Sequence, residues 1–193
     1  MKKLTAIGVL MTLALVGCQI GTSDEVIKIG YIGPLTGDAA SYGADTHNAV
    51  LMKVEEINAA GGIDGKMIEL ISEDGLCTGS NSASAAQKLI HIDRVVGIIG
   101  GQCSGETLAA APIAEAAKVI MIAPISSSPD VTDAGDFIFR VYPNDALKGM
   151  VMSKYIEREG YKSVAIITEN TDYAQGIRNS LKDALPEIIP VVF

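Results

Sequence analysis

A chain of 193 residues with 15 basic and 23 acidic side chains has a formal net charge of −8, and it contains 6 Tyr, 3 Phe and no Trp. An acidic surface without a basic cluster repels nucleic acid, and sparse aromatics offer little for base stacking, so no nucleic-acid partner is expected. The only histidines, His47 and His91, lack ligand spacing to a cysteine, so neither a metal nor a cofactor is expected.

Residues 1–17 have the layout of a secretory signal: Lys2 and Lys3, then an apolar run from Leu4 to Val16 that is too short to span a bilayer. The sequence LVGC at 15–18 resembles a bacterial lipobox, by which Cys18 is expected to be the lipidated first residue of an exported, membrane-anchored chain; the alternative is an ordinary signal peptide that happens to contain a cysteine. Residues 18–25 then form a short tether.

From residue 26 onward, β-branched runs alternate with helical patterns. Strands are expected at 26–33, 67–72, 95–100, 119–124 and 137–143, then at 163–168 and 188–192. Helices are expected at 41–62, where Val50, Leu51, Val54 and Ile57 form an apolar stripe ended by Gly61 and Gly62, and at 80–92 and 106–118. Two more are expected around 145–159 and 174–185. Strict alternation with strands apolar on both faces predicts an α/β, doubly wound parallel sheet covered on both sides. Pro143 and Asn144 break the pattern, dividing the chain into a first lobe at 26–142 and part of a second at 143–193.

Ligands on such sheets bind at the carboxyl ends of the strands. Four loops fall there: 33–43, 73–79, 101–105 and 125–130. The glycines at 97, 100, 101 and 105 match neither G-x-G-x-x-G nor the phosphate-binding P-loop, which disfavours a nucleotide. With Cys18 assigned to lipid, Cys77 and Cys103 are an even pair in an exported chain and read first as a disulfide. The alternative, a nucleophilic Cys103, needs a nearby base, and His91 falls at the far end of the preceding strand. Ser104 and Gly105 sit where a helix starts; free N–H groups there attract a carboxylate, although a serine in that place also serves as a plain helix cap. The next loop supplies Ser126, Ser127 and Ser128 between Pro124 and Pro129.

The segments IKIGYIGPLTGDAASYG, AVLMKVEEINAAGGIDGKMIELISEDGLC, VVGIIGGQCSGETLAAAPIAEAAKVIMIAPISSSPDVTD and ITENTDYAQG follow one another in the order found in a known family. Together they resemble the type I periplasmic solute-binding proteins of branched-chain amino acid ABC transporters. The resemblance implies two α/β lobes that close on a ligand and perform no chemistry. It further implies that Ser104 grips an α-carboxylate, that Ile125 gives a carbonyl and Ser127 an N–H and a hydroxyl, with Ser126 between them. Tyr42 and Tyr173 match aromatic positions bordering the ligand, and Gln102 matches a position lining the pocket in some members. It supports the Cys77–Cys103 pairing, each cysteine being expected to follow a strand that neighbours the other's.

The implied function is an extracytoplasmic binding lipoprotein that presents an amino acid or small amide to an ABC permease. Alternatives are a ligand-sensing ectodomain or amide-responsive regulator on the same fold, and a cysteine-dependent enzyme. Members of the family run to about twice this length, in line with two full domains. Weak ligand binding by residues 19–193 is therefore expected.

Overall fold

A computed structural model describes residues 26–186 and 191–192. The signal segment, Cys18 and the tether up to residue 25 lie outside the described residues, as do 188–190 of the last expected strand.

The apolar runs form β1 (Ile27–Gly33), β2 (Ile68–Asp74), β3 (Gly97–Ile99), β4 (Ile120–Ala123) and β5 (Ile138–Arg140). All pair in parallel in the order β2-β1-β3-β4-β5. The helices between them are α1 (Ala40–Ala59), α2 (Gly79–Gln87) and α3 (Ser104–Ala117). A π-type turn, Lys88–Asp93, extends α2, and a 3₁₀ turn, Pro129–Asp133, precedes β5. The α1 stripe ends as its glycines require: Gly61 and Gly62 take φ of 99° and 77°, and the Gly62 N–H returns to the Ile57 carbonyl at 2.9 Å.

The core lies on one face of this sheet. Ile32, Ile98, Met121 and Ile138 meet Ala85, Ala86 and Leu89 of α2 and its extension, and Ala110, Ala111 and Ala114 of α3. Small residues on both helices let them approach the sheet and one another closely. The opposite face is covered too, as expected, but less fully. Among the described residues only α1 lies on it, and a groove of about 520 Å³ opens between Val50, Val54 and Ile57 of α1 and the side chains of Ile29, Ile99, Ile120 and Ile122. The β4 alternation records this asymmetry: Met121 and Ala123 are buried, whereas Ile120 is 47% and Ile122 38% exposed. Both faces are apolar in sequence, and that pattern alone does not tell which face finds a partner.

After β5, the chain forms α4 (Ala146–Arg158), β6 (Val164–Ala165), α5 (Asp172–Ala184) and β7 (Val191–Val192), with β6 and β7 parallel in a second sheet. Ile156 of α4 packs with Leu181 and Leu185 against Val164 and Ile166. Within the expected strand at 163–168, Val164 and Ala165 pair with Val191 and Val192 among the described residues.

Candidate functional site

Because the five strands are parallel, the loops after β1, β2, β3 and β4 emerge at one edge, and side chains tie them into a single surface. Asp74 accepts the Leu35 N–H at 2.9 Å and the Thr36 hydroxyl, joining the first loop to the second. Burial works against the Asp74 charge, yet these bonds and the Leu76 N–H hold its carboxyl below the usual range. Cys77 and Cys103 are bridged, with Cα atoms 5.4 Å apart. Their strands are not neighbours, contrary to expectation, since β1 lies between β2 and β3. The bridge passes over the end of β1, and Leu76 and Cys77 both adopt left-handed backbone conformations to reach it.

The third and fourth loops hold the candidate serines. Ser104 is the first residue of α3 and is 3% exposed. Its hydroxyl oxygen accepts the Ser128 N–H at 3.2 Å, so the two serine loops touch. Neither the Ser104 nor the Gly105 N–H makes a hydrogen bond among the described residues, as the first turn of a helix dictates. Ser126 is a brace: its hydroxyl lies 2.6 Å from that of Thr107 and donates toward the Gly101 carbonyl at 2.9 Å. Ser127 donates its hydroxyl proton to Asp145 at 2.7 Å. Ile125 is 37% exposed beside them. Ser128 is fully buried, and its Oγ has no partner among the described residues.

Gln102 is buried with its side chain turned toward α1, where Nε2 donates to the Tyr42 carbonyl at 2.7 Å and the Thr46 hydroxyl at 2.6 Å. Its Oε1 is buried without a partner among the described residues. Tyr42 stands on α1 with its ring 67% exposed and meets the site through its backbone. Tyr173 occupies the first turn of α5, 44% exposed, with the Lys148 ammonium 5.3 Å from its ring. Lys148 also pairs with Asp145 at 2.8 Å; that bond is the main reason its ammonium pKa is raised, with the Tyr173 hydroxyl adding to it.

The second unit closes over the serines. Thr171 caps α5 by accepting the Ala174 N–H at 3.2 Å. A methyl group on Gly105 would lie 2.6 Å from an Asp172 carboxylate oxygen, and one on Gly176 would lie 2.8 Å from Ser128 Oγ and 2.9 Å from Pro129 Cδ. Contact this close explains why hydroxyls at a loop edge are buried.

Three groups here do not stand out in the sequence as parts of the site. Asp145 is 2% exposed and holds Ser127; Arg140 donates to the Ser128 carbonyl at 2.7 Å; Glu106 is fully buried beneath Gln102 and Cys103. Only Glu106 carried a local signal, its place three residues after the cap position.

The pattern of the family described as "Periplasmic binding protein" matches residues 26–190. The chain is 34% identical over 165 residues to the leucine-, isoleucine-, valine-, threonine-, and alanine-binding protein of Pseudomonas aeruginosa, spanning 84% of this chain and 44% of that protein. Among solved structures it superposes with a TM-score of 0.74, at 33% identity, on the branched-chain amino acid transporter substrate binding protein LivJ from Streptococcus pneumoniae in complex with isoleucine. That match covers 88% of this chain and 50% of LivJ. A Rhodopseudomonas palustris solute binding protein of an ABC transporter, in complex with 3,4-dihydroxy benzoic acid, matches with a TM-score of 0.72 at 28% identity, over 86% of this chain and 46% of that one. The chain thus spans about half the length of the proteins it matches.

Proposed function

This chain belongs to the periplasmic binding protein family, and on that premise we propose that it serves as the extracytoplasmic binding component of an ABC importer. Its ligand is an amino acid of the branched-chain type or a related small amide, held without chemical change. The ligand's carboxylate lies against the first turn of α3, where the Ser104 and Gly105 amides lack partners among the described residues. The convergence of Ser104 with the buried triplet Ser126–Ser128, leaving Ser128 Oγ unpartnered, is the observation that carries this reading. A buried hydroxyl without a partner costs about 1–3 kcal/mol, which a polar ligand entering the site offsets. Ile125, Tyr42 and Tyr173 border the ligand, and Gln102 contributes its unpartnered oxygen.

Binding and release follow from movement between the two units. The contacts of Gly105 with Asp172 and of Gly176 with Ser128 part to admit the ligand and re-form around it. The closed form presents both units to a permease, and lipid at Cys18 keeps the protein at the membrane. Calorimetry with leucine, isoleucine, valine, small amides and benzoate tests the ligand class. Heat from the aliphatic amino acids, reduced at least about tenfold in affinity by Ser104→Ala, is the expected result. Binding of benzoate alone would replace the amino acid in this reading, and binding unaffected by the substitution would move the site elsewhere.

A further inference from the structure

Glu106 has no part in the ligand contacts above, yet it is a fully buried carboxylate directly under the loop that carries Ser104. Its Oε1 accepts the Cys77 N–H at 3.0 Å, and its Oε2 accepts the N–H groups of Gln102 and Cys103, both at 2.9 Å. Three backbone donors from two loops, with 24 residues between Cys77 and Gln102 in the chain, thus converge on one side chain. Gly75 makes this possible, since a methyl group there would collide with Oε1. The backbone carbonyl of Glu106 is also held, accepting the Ser82 hydroxyl of α2 at 2.9 Å.

Resting on the ligand reading above, we propose that Glu106 is a positioning residue: its carboxylate fixes the backbone of residues 101–103 and so sets the direction in which Ser104 and the first amides of α3 face the ligand. The disulfide ties the same two loops at a single bond about which they can still pivot. The carboxylate adds three bonds of fixed direction. Charge matters as well as shape, because both oxygens are in use as acceptors. Oε2 already accepts two N–H groups, so a proton there would displace one of them, and a proton on Oε1 would weaken both oxygens as acceptors.

The state of the carboxylate therefore gates the loop. Burial pushes the Glu106 carboxyl above its ordinary range, against the lowering effect of the three N–H groups, and Asp74 adds to the rise. The other ionisable neighbours are Tyr31 of β1, itself influenced by Glu106, and Asp172 of α5, which faces Gly105; the bridged cysteines do not titrate. With its folded pKa raised, this group favours the fold most below its unfolded value, and that contribution is lost as pH rises through the folded one. Loop positioning runs the other way, being present when the carboxylate is charged and lost on acidification. A merely structural role predicts no such opposition.

Amide NMR of the 15N-labelled chain separates the two. On lowering the pH, the Cys77, Gln102 and Cys103 amides should shift together along one titration curve, and the Ser104 amide should follow, while thermal stability does not fall in step with that curve. Glu106→Gln should abolish the shared titration. Gly75→Ala, which dislodges the carboxylate without removing it, should do the same, and both should weaken leucine binding about tenfold or more. Amides that titrate independently, or a Ser104 amide that does not follow them, would overturn the proposal, and this readout stands even if a variant fails to fold. Absence of leucine binding by the unaltered chain would count against the ligand reading alone, because the amide titration decides the role of Glu106 without ligand.

Discussion

Ser127 and Asp145 hold each other by two bonds: the Ser127 hydroxyl donates to the Asp145 carboxylate at 2.7 Å, and the Asp145 N–H donates to the Ser127 carbonyl at 2.9 Å. Asp145 immediately precedes α4, so this pair couples the serine loop of the first sheet to the start of the second unit. The hydroxyl proton of Ser127 is committed, and a ligand carboxylate at this loop would meet its N–H. Asp145→Ala should leave that hydroxyl buried and unpaired and deprive Lys148 of its partner. We expect a loss of about 1–3 kcal/mol in urea unfolding. A change within error would mean that the pair is a passive contact.

Tyr31 is fully buried in β1, donates its phenol to the Gly43 carbonyl at 3.0 Å and packs 4.8 Å from the His47 ring. Burial, with a contribution from the Glu106 charge, pushes its phenol up to about 12. Stability from this group is complete below the ordinary tyrosine range and is lost as pH rises through the folded value. Ultraviolet titration should show one tyrosine ionising after the others, and Tyr31→Phe should remove that late step. The substitution should cost about 1 kcal/mol through the lost bond.

Much of this was legible in the sequence, for identifiable reasons. Alternation of apolar runs is a local property, so strands and helices came out in their observed order and Gly61–Gly62 marked the end of α1. The serines could be assigned to one edge because parallel strands force their loops there. Position within the edge was another matter. That Gln102 turns toward Thr46, and that Ser127 is engaged by Asp145, depends on residues 56 and 18 positions away. No local pattern reports such partners. The neighbours of β2 were misjudged for the same reason: chain order does not fix strand order, and β1 takes the place beside it.

The Cys77–Cys103 bridge closes a span of sequence separation 26. On the chain-entropy account such a closure stabilises by about 3.5 kcal/mol. With Cys18 replaced by alanine, the denatured, unreduced protein should give no thiol signal, and two thiols should appear after reduction. Two thiols before reduction would rule the bridge out.

Cys18 lies outside the described residues, and its lipidation is a proposal from the sequence. Palmitate should label the intact chain in cells, and Cys18→Ala should abolish the label and release or block the mature protein. Label that persists in the variant would place the lipid elsewhere.

Ile120, Ile122 and Phe139 leave an apolar face bare on β4 and β5, with Phe139 50% exposed. Exposed apolar surface promotes association. Ile122→Lys together with Phe139→Lys should reduce light scattering with little change in unfolding midpoint. A sharp fall in the midpoint would show that this face is buried in solution.

In the proposed function, the serine loops after β3 and β4 hold the carboxylate end of a small amino acid. Titrating leucine into the 15N-labelled chain and following its amides tests this directly, even at the millimolar affinity expected here. Shifts should concentrate at 101–105 and 125–128, led by Ser104, Gly105 and Ser127, and should be lost in Ser104→Ala. Shifts concentrated in the groove between α1 and β4, or unchanged by that substitution, would contradict it.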